Sequence, residues 1–226
     1  MRNRIRAIVF GGLIATVSMM GLCSCSGKGD DTVEGELKPV EIREYKGEKL
    51  SPASSLRENS IKGPQQVDVT GYSLKISGLA ENPQEYTYAQ AIDGYAHYQK
   101  MVTLDCVEGW SVKILWEGVL VRELVAKAKP TENARVIIFH AYDGYTTSFP
   151  IEYIMSNDIL MAYKMNDVAL PPERGFPFQL VAESKWGYKW IKWITEIELS
   201  SDTNYKGYWE DRGYSNSGDL DKPFFD

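Results

Sequence analysis

The sequence predicts an α+β domain dominated by a mixed sheet, spanning residues 41–226. Three observations carry this reading. Short stretches of two-residue alternation recur along the chain, helical patches are few and brief, and the two kinds of element do not alternate as strict βαβ units would. A chain of 226 residues is long enough for one domain that buries roughly 70% of its unfolded surface, so the core needs no disulfide. No internal repeat is present.

The first 40 residues stand apart from that domain. Residues 1–6, MRNRIR, are basic, and the apolar run AIVFGGLIATVSMMGL follows them. A cationic start, a short apolar stretch and small residues after it make a secretory signal, since a membrane span needs roughly 20 apolar residues. The signal closes on LCSC, residues 22–25, which has the pattern of a bacterial lipobox. Residues 1–24 are therefore expected to be removed and Cys25 to carry a lipid. Polar, glycine-rich and acidic residues then form a flexible tether to residue 40. Losing the three arginines of residues 1–24, which hold no acidic residue, takes the formal charge from −6 to −9. That balance excludes nucleic acid as a partner, because phosphate binding needs a basic surface.

Within the domain, YSLKISG (72–78) sets Tyr72, Leu74 and Ile76 against polar neighbours, the period of a half-buried strand. Thr87 with Gln90 three residues on predicts a capped short helix ending near Gly94. MVTLDC (101–106) places Val102, Leu104 and Cys106 on one strand face. Gly109 and Ser111 predict a bend before a strand through Val112, Ile114 and Trp116. GVLVRELVAKAKP (118–130) gathers Leu120, Val121, Leu124, Val125 and Ala128 on one helical face and stops at Pro130. ARVIIFHAY (134–142) is an apolar strand, and FPIEYIMSND (149–158) a short helix with Pro150 at its first turn. FQLVAE is a strand. WIKWITEIEL (190–199) is a last one, with Ile191, Trp193, Ile197 and Leu199 on one face and Lys192, Glu196 and Glu198 on the other.

Cys106 is the only cysteine after residue 25, and an exported chain that keeps one thiol needs a reason for it. One reading is a nucleophile with His140 as its base and Asp143 as the sole candidate third partner. A second is a soft ligand to a metal held mainly by something other than protein. A third is a buried structural cysteine, which residue types alone favour. One cysteine and two dispersed histidines lack zinc-site spacing, and no glycine-rich phosphate loop is present.

TLDCVEGWSVKILWEGVLVREL (103–124) and LPPERGFPFQLVAESKWGYKWIKWITEIEL (170–199) resemble the molybdopterin domain of the sulfite oxidase family. Among its branches they look closest to the bacterial periplasmic protein-methionine-sulfoxide reductase catalytic subunit. SLRENSIKGPQ and the tail GYWEDRGYS extend the likeness. The resemblance implies a sulfite-oxidase-type molybdopterin-binding domain in which the Cys106 thiolate ligates molybdenum, the remaining sulfurs coming from the pterin dithiolene. It places Glu108 near the metal, where it handles protons. Tyr188, Lys189, Trp190, Ile191 and Lys192 match the cofactor-contacting run, with Lys185, Lys189 and Lys192 forming a phosphate-facing patch. Arg57 and Asn59 are a faint counterpart of the family's arginine, asparagine, histidine segment. At three pterin-contacting positions this chain departs: Ala141 stands for threonine, Arg174 for asparagine and Gln179 for arginine, the Arg174 charge replacing the one absent at Gln179.

The function so implied is oxygen-atom transfer on a sulfoxide or similar sulfur or nitrogen oxide, small or protein-borne. Few arginines near the motif favour reduction. Electrons are expected from a separate partner, and the protein is expected to be lipid-anchored to the cell envelope on the periplasmic or outer-membrane side. MRNRIR lacks the adjacent arginine pair of the family's folded-export route. That absence keeps an alternative: a cofactor-free binding protein whose cleft is lined by Trp110, Tyr142 and Tyr145.

Overall fold

Two five-stranded sheets and three short helices share one apolar core in this computed structural model, which describes residues 39–225. The expected signal, Cys25 and the tether as far as residue 38 lie outside the described residues. The chain enters through a hairpin of β1 (Glu44–Tyr45) and β2 (Glu48–Lys49), whose loop residues Lys46 and Gly47 have φ of 49° and 82°. Two left-handed residues in succession match the twist of the flanking strands, and glycine accepts that conformation without strain. Buried Asn166 ties this arm to the domain, donating from Nδ2 to Glu41 Oε1 at 2.6 Å and to Ser51 O at 2.9 Å.

Strands β3 (Leu74–Gly78) and β4 (Gln84–Tyr86) lead to helix α1 (Tyr88–Asp93). Strands β5 (Tyr98–Asp105) and β6 (Ser111–Leu120) form a long hairpin that runs directly into α2 (Val121–Ala128). Strands β7 (Val136–Ala141) and β8 (Thr146–Pro150) precede α3 (Ile151–Ser156). The remaining strands are β9 (Leu160–Met165), β10 (Val168–Ala169), β11 (Gln179–Val181) and β12 (Ile194–Ser200). In the antiparallel sheet β5, β6 and β9 lie side by side, and β10 and β11 share the free edge of β9. The other sheet runs β4, β3, β12, β7, β8 and is mixed, because β3 and β12 are parallel.

The expected capping box is present. Thr87 Oγ1 accepts from Gln90 N at 3.3 Å, and Gln90 Oε1 accepts from Thr87 N at 2.9 Å. Helix α2 buries Val121, Leu124, Val125 and Ala128, but Leu120 belongs to β6 and caps the helix from outside. Two features differ from the sequence expectation. Strand β9 carries no alternation to read, since Leu160, Met161, Ala162, Tyr163 and Met165 are all buried, as in a strand covered on both faces. The last strand is also shorter than predicted. Trp193 has φ 55°, outside the β region, so β12 starts only at Ile194. A register shift between Ile194 and Glu196 then turns Ile194, Ile197 and Leu199 inward together.

Candidate active site

The β5–β6 hairpin sets the first functional side chains. Val102, Leu104 and Cys106 are buried on one face, as the alternation predicts. At the hairpin end Cys106 N donates to Trp110 O at 2.9 Å and Gly109 N donates to Cys106 O at 3.0 Å. Gly109 sits at φ 81°, which a side chain would strain. This tight loop folds Glu108 back beside the cysteine, with Sγ 4.0 Å from Oε2. Both carboxylate oxygens are held: Asn59 Nδ2 donates to Oε1 at 3.1 Å and Trp110 Nε1 donates to Oε2 at 3.0 Å.

Burial pushes the Cys106 thiol above its ordinary range. The Glu108 charge adds to this, while the peptide N–H groups of Val107 and Glu108 and the Arg57 guanidinium pull the other way. The sulfur is therefore a thiol at neutral pH until a cation takes the proton's place. Among the described residues no three His, Cys, Asp or Glu side chains converge to hold a metal by themselves. The donor set thus offers one inward sulfur and requires the rest of a metal's ligands from another molecule.

A turn of 3₁₀ helix at Gly187–Lys189 forms the wall beside the sulfur. A methyl group on Gly187 would stand 3.3 Å from Asp105 O and 3.4 Å from Cys106 Cα, so glycine permits this approach. Cys106, Glu108 and Trp110 line a cleft of about 250 Å³. One wall is cationic, with Arg174, Gln179, Lys192 and Trp193. Lys192 Nζ donates to Glu58 Oε1 at 2.9 Å and lies 4.4 Å from the centre of the Trp193 ring. Burial lowers the Lys192 ammonium, with Glu58 opposing. Another wall is aromatic, with Tyr188 against Tyr214 at 5.1 Å and Tyr214 against Trp209 at 5.3 Å between ring centres.

Most of the expected site residues meet in this cleft. Cys106, Glu108, Arg57, Asn59 and Arg174 line it, as do Tyr188, Trp190, Ile191 and Lys192. Asn59, expected at the cofactor, is bonded to Glu108. Two expected residues face elsewhere. Ala141 is buried at the end of β7, outside the lining. Lys189 is fully buried and donates to Glu210 Oε1 at 2.6 Å. The expected phosphate-facing patch of three lysines does not form, because Lys185 is likewise committed to Asp219 and to Ser217 O. His140 pairs with Glu198 at 2.8 Å and lies outside the cleft lining, so no Cys106–His140 pair is assembled. Trp110 and Tyr145 line the cleft, whereas Tyr142 is 59% exposed and does not. Trp209 and Tyr214 carried no expected role, although both fall within GYWEDRGYS, the tail whose likeness to the family was already visible.

The residues present fit an anionic organic cofactor that brings a metal. Gln179 Oε1 is buried on the cleft wall without a hydrogen-bond donor. The guanidinium groups of Arg57 and Arg174 line the cleft and donate no hydrogen bond among the described residues.

Comparison with known proteins gives a concordant result. The family model described as "Oxidoreductase molybdopterin binding domain" matches residues 61–209. The uncharacterized oxidoreductase YuiH of Bacillus subtilis is 32% identical over 157 residues, 69% of this chain and 78% of that protein. The protein-methionine-sulfoxide reductase catalytic subunit MsrP of Xanthomonas campestris is 28% identical over 61% of this chain. The matched region is 48% of that subunit, so the chain spans about half its length. The crystal structure of the sulfane dehydrogenase SoxCD from Paracoccus pantotrophus shares the fold, with a TM-score of 0.63 at 20% identity over 86% of this chain and 59% of that one.

Proposed function

Because the chain belongs to the oxidoreductase molybdopterin-binding domain family, and so to the molybdenum-dependent oxidoreductases, we propose that it reduces a sulfoxide or similar sulfur or nitrogen oxide with Cys106 as the metal's protein ligand. The observation that carries this is the pairing of an inward sulfur with a carboxylate 4.0 Å away whose two oxygens are both held in place. The likeness to protein-methionine-sulfoxide reductase subunits supports the choice of substrate.

When bound, the cofactor supplies two-electron oxygen-atom exchange. This chain's residues do the rest. Cys106 offers its sulfur once its proton has left. Lys192, Arg174 and Arg57 would be the cations for the cofactor's phosphate, Trp190 and Ile191 line the same cleft, and the Gln179 amide oxygen would be free to accept from a ring N–H. Reduction of R₂SO takes two electrons and two protons and yields R₂S and water. Glu108, fixed by Asn59 and Trp110, is placed to deliver protons to the departing oxygen. Electrons come from a separate donor protein. Export and a lipid on Cys25 complete this reading.

The test is oxidation of a reduced viologen dye by purified holoprotein with methionine sulfoxide, trimethylamine N-oxide, nitrate and sulfite offered in turn. Turnover with the first or second, depending on Cys106 and on bound molybdenum, supports the proposal. Dye oxidation by none of the oxides from molybdenum-loaded protein overturns it.

A further inference from the structure

The cofactor accounts for the cationic wall and leaves the aromatic one without a role. We infer that Trp209 and Tyr214, with Tyr188, seat the organic arm of the substrate and select an organic sulfoxide over an inorganic oxyanion. The inference rests on the sulfoxide-reductase reading above.

This wall offers ring faces and no charge. Three cations close to it are engaged elsewhere: Lys189 is sealed against Glu210, Lys185 is held by Asp219, and Arg212 lies 3.7 Å from the Tyr208 ring. The rings give an oxyanion no charge to pair with, whereas alkyl or aryl groups on sulfur pack well against aromatic faces. The wall is also built rigidly. Glu210, next to Trp209, and Lys189, next to Tyr188, pair with both side chains at 0% exposure. Tyr188 Oη donates to Ser215 O at 2.7 Å, beside Tyr214. A methyl group on Gly218 would stand 2.5 Å from Lys189 Cγ, so the C-terminal segment lies directly on the Gly187–Lys189 turn. Trp209 and Tyr214 nevertheless stay partly exposed, open to an entering ligand. Tyr214 lies beyond the family match, which ends at residue 209.

The test compares holoprotein with Trp209→Ala, Tyr214→Ala, and the ring-keeping Trp209→Phe and Tyr214→Phe, plus Trp209→Leu in case the alanine variant does not fold. Three quantities are read: kcat/KM for methyl phenyl sulfoxide against dimethyl sulfoxide and against the oxyanion nitrate, equilibrium binding of methyl phenyl sulfoxide by calorimetry, and molybdenum content. The expected result is a fall of about tenfold or more in the preference for the aryl substrate on loss of either ring, largely restored by phenylalanine, with molybdenum retained. Unchanged preference overturns the inference. So does loss of molybdenum in the alanine or leucine variants, which would make the wall a seat for the pterin. If the wild-type protein reduces no sulfoxide, the catalytic reading fails while calorimetry still decides this one: ring-dependent binding supports it and absent binding overturns it.

Discussion

At the scale of single residues, the site is a cysteine, a carboxylate and the two donors that fix the carboxylate. Glu108→Gln keeps the shape and the hydrogen bond from Asn59 but removes the charge that accepts and passes a proton. Turnover should fall by about 10²–10⁴-fold, the usual worth of a positioned acid or base, with molybdenum content unchanged in elemental analysis. Cys106 was legible in sequence because two-residue alternation sets its face and CVEGW carries a family likeness. The bond from Asn59 to Glu108 was not legible, because it joins positions 49 residues apart and no local pattern records such a contact. The same limit made His140 look available to Cys106. Only the pairing of β7 with β12, which sets His140 opposite Glu196 and near Glu198, shows it committed elsewhere.

At the scale of elements, the Gly187–Lys189 turn is the joint between the cysteine strand and the C-terminal segment. Gly187→Ala should push this turn off β5 and cost about 1–3 kcal/mol in chemical denaturation, as overpacking does. Lys189→Met leaves the Glu210 carboxylate buried without its cation. It should destabilise by about 3–5 kcal/mol, and a second change, Glu210→Leu, should recover much of the loss. The segment's other fastening is pH-sensitive. Against partial burial, hydrogen bonds from Lys185 and Lys222 hold the Asp219 carboxyl down at about 2, below its ordinary value of about 3.9. A lowered acid pKa stabilises the fold above the unfolded value, so this contribution is complete above about pH 4–5 and is lost as pH falls towards 2. Unfolding free energies of wild type and Asp219→Asn should therefore converge over that window. None of this was legible beforehand. Residues 190–199 read as one strand and Lys185, Lys189 and Lys192 as a phosphate-facing patch, whereas the ion pairs that hold Lys185 and Lys189 are made with a tail more than 15 residues downstream.

At the scale of the whole molecule, the fold class, the mixed sheet and the cleft's location followed from short alternating stretches and the family likeness. What escaped was β9, whose double burial erases the period that marks a strand. The acidic domain and the expected lipid on Cys25 give a separate prediction: Cys25→Ser should abolish incorporation of labelled fatty acid and move the protein from the membrane to the soluble fraction. Everything proposed about chemistry depends on metal reaching the Cys106 sulfur. Molybdenum-edge X-ray absorption on holoprotein from its native host, wild type beside Cys106→Ser, measures that directly. The prediction is one sulfur fewer around molybdenum in the variant; identical sulfur coordination in the two proteins, or wild-type protein that never carries molybdenum, would contradict it.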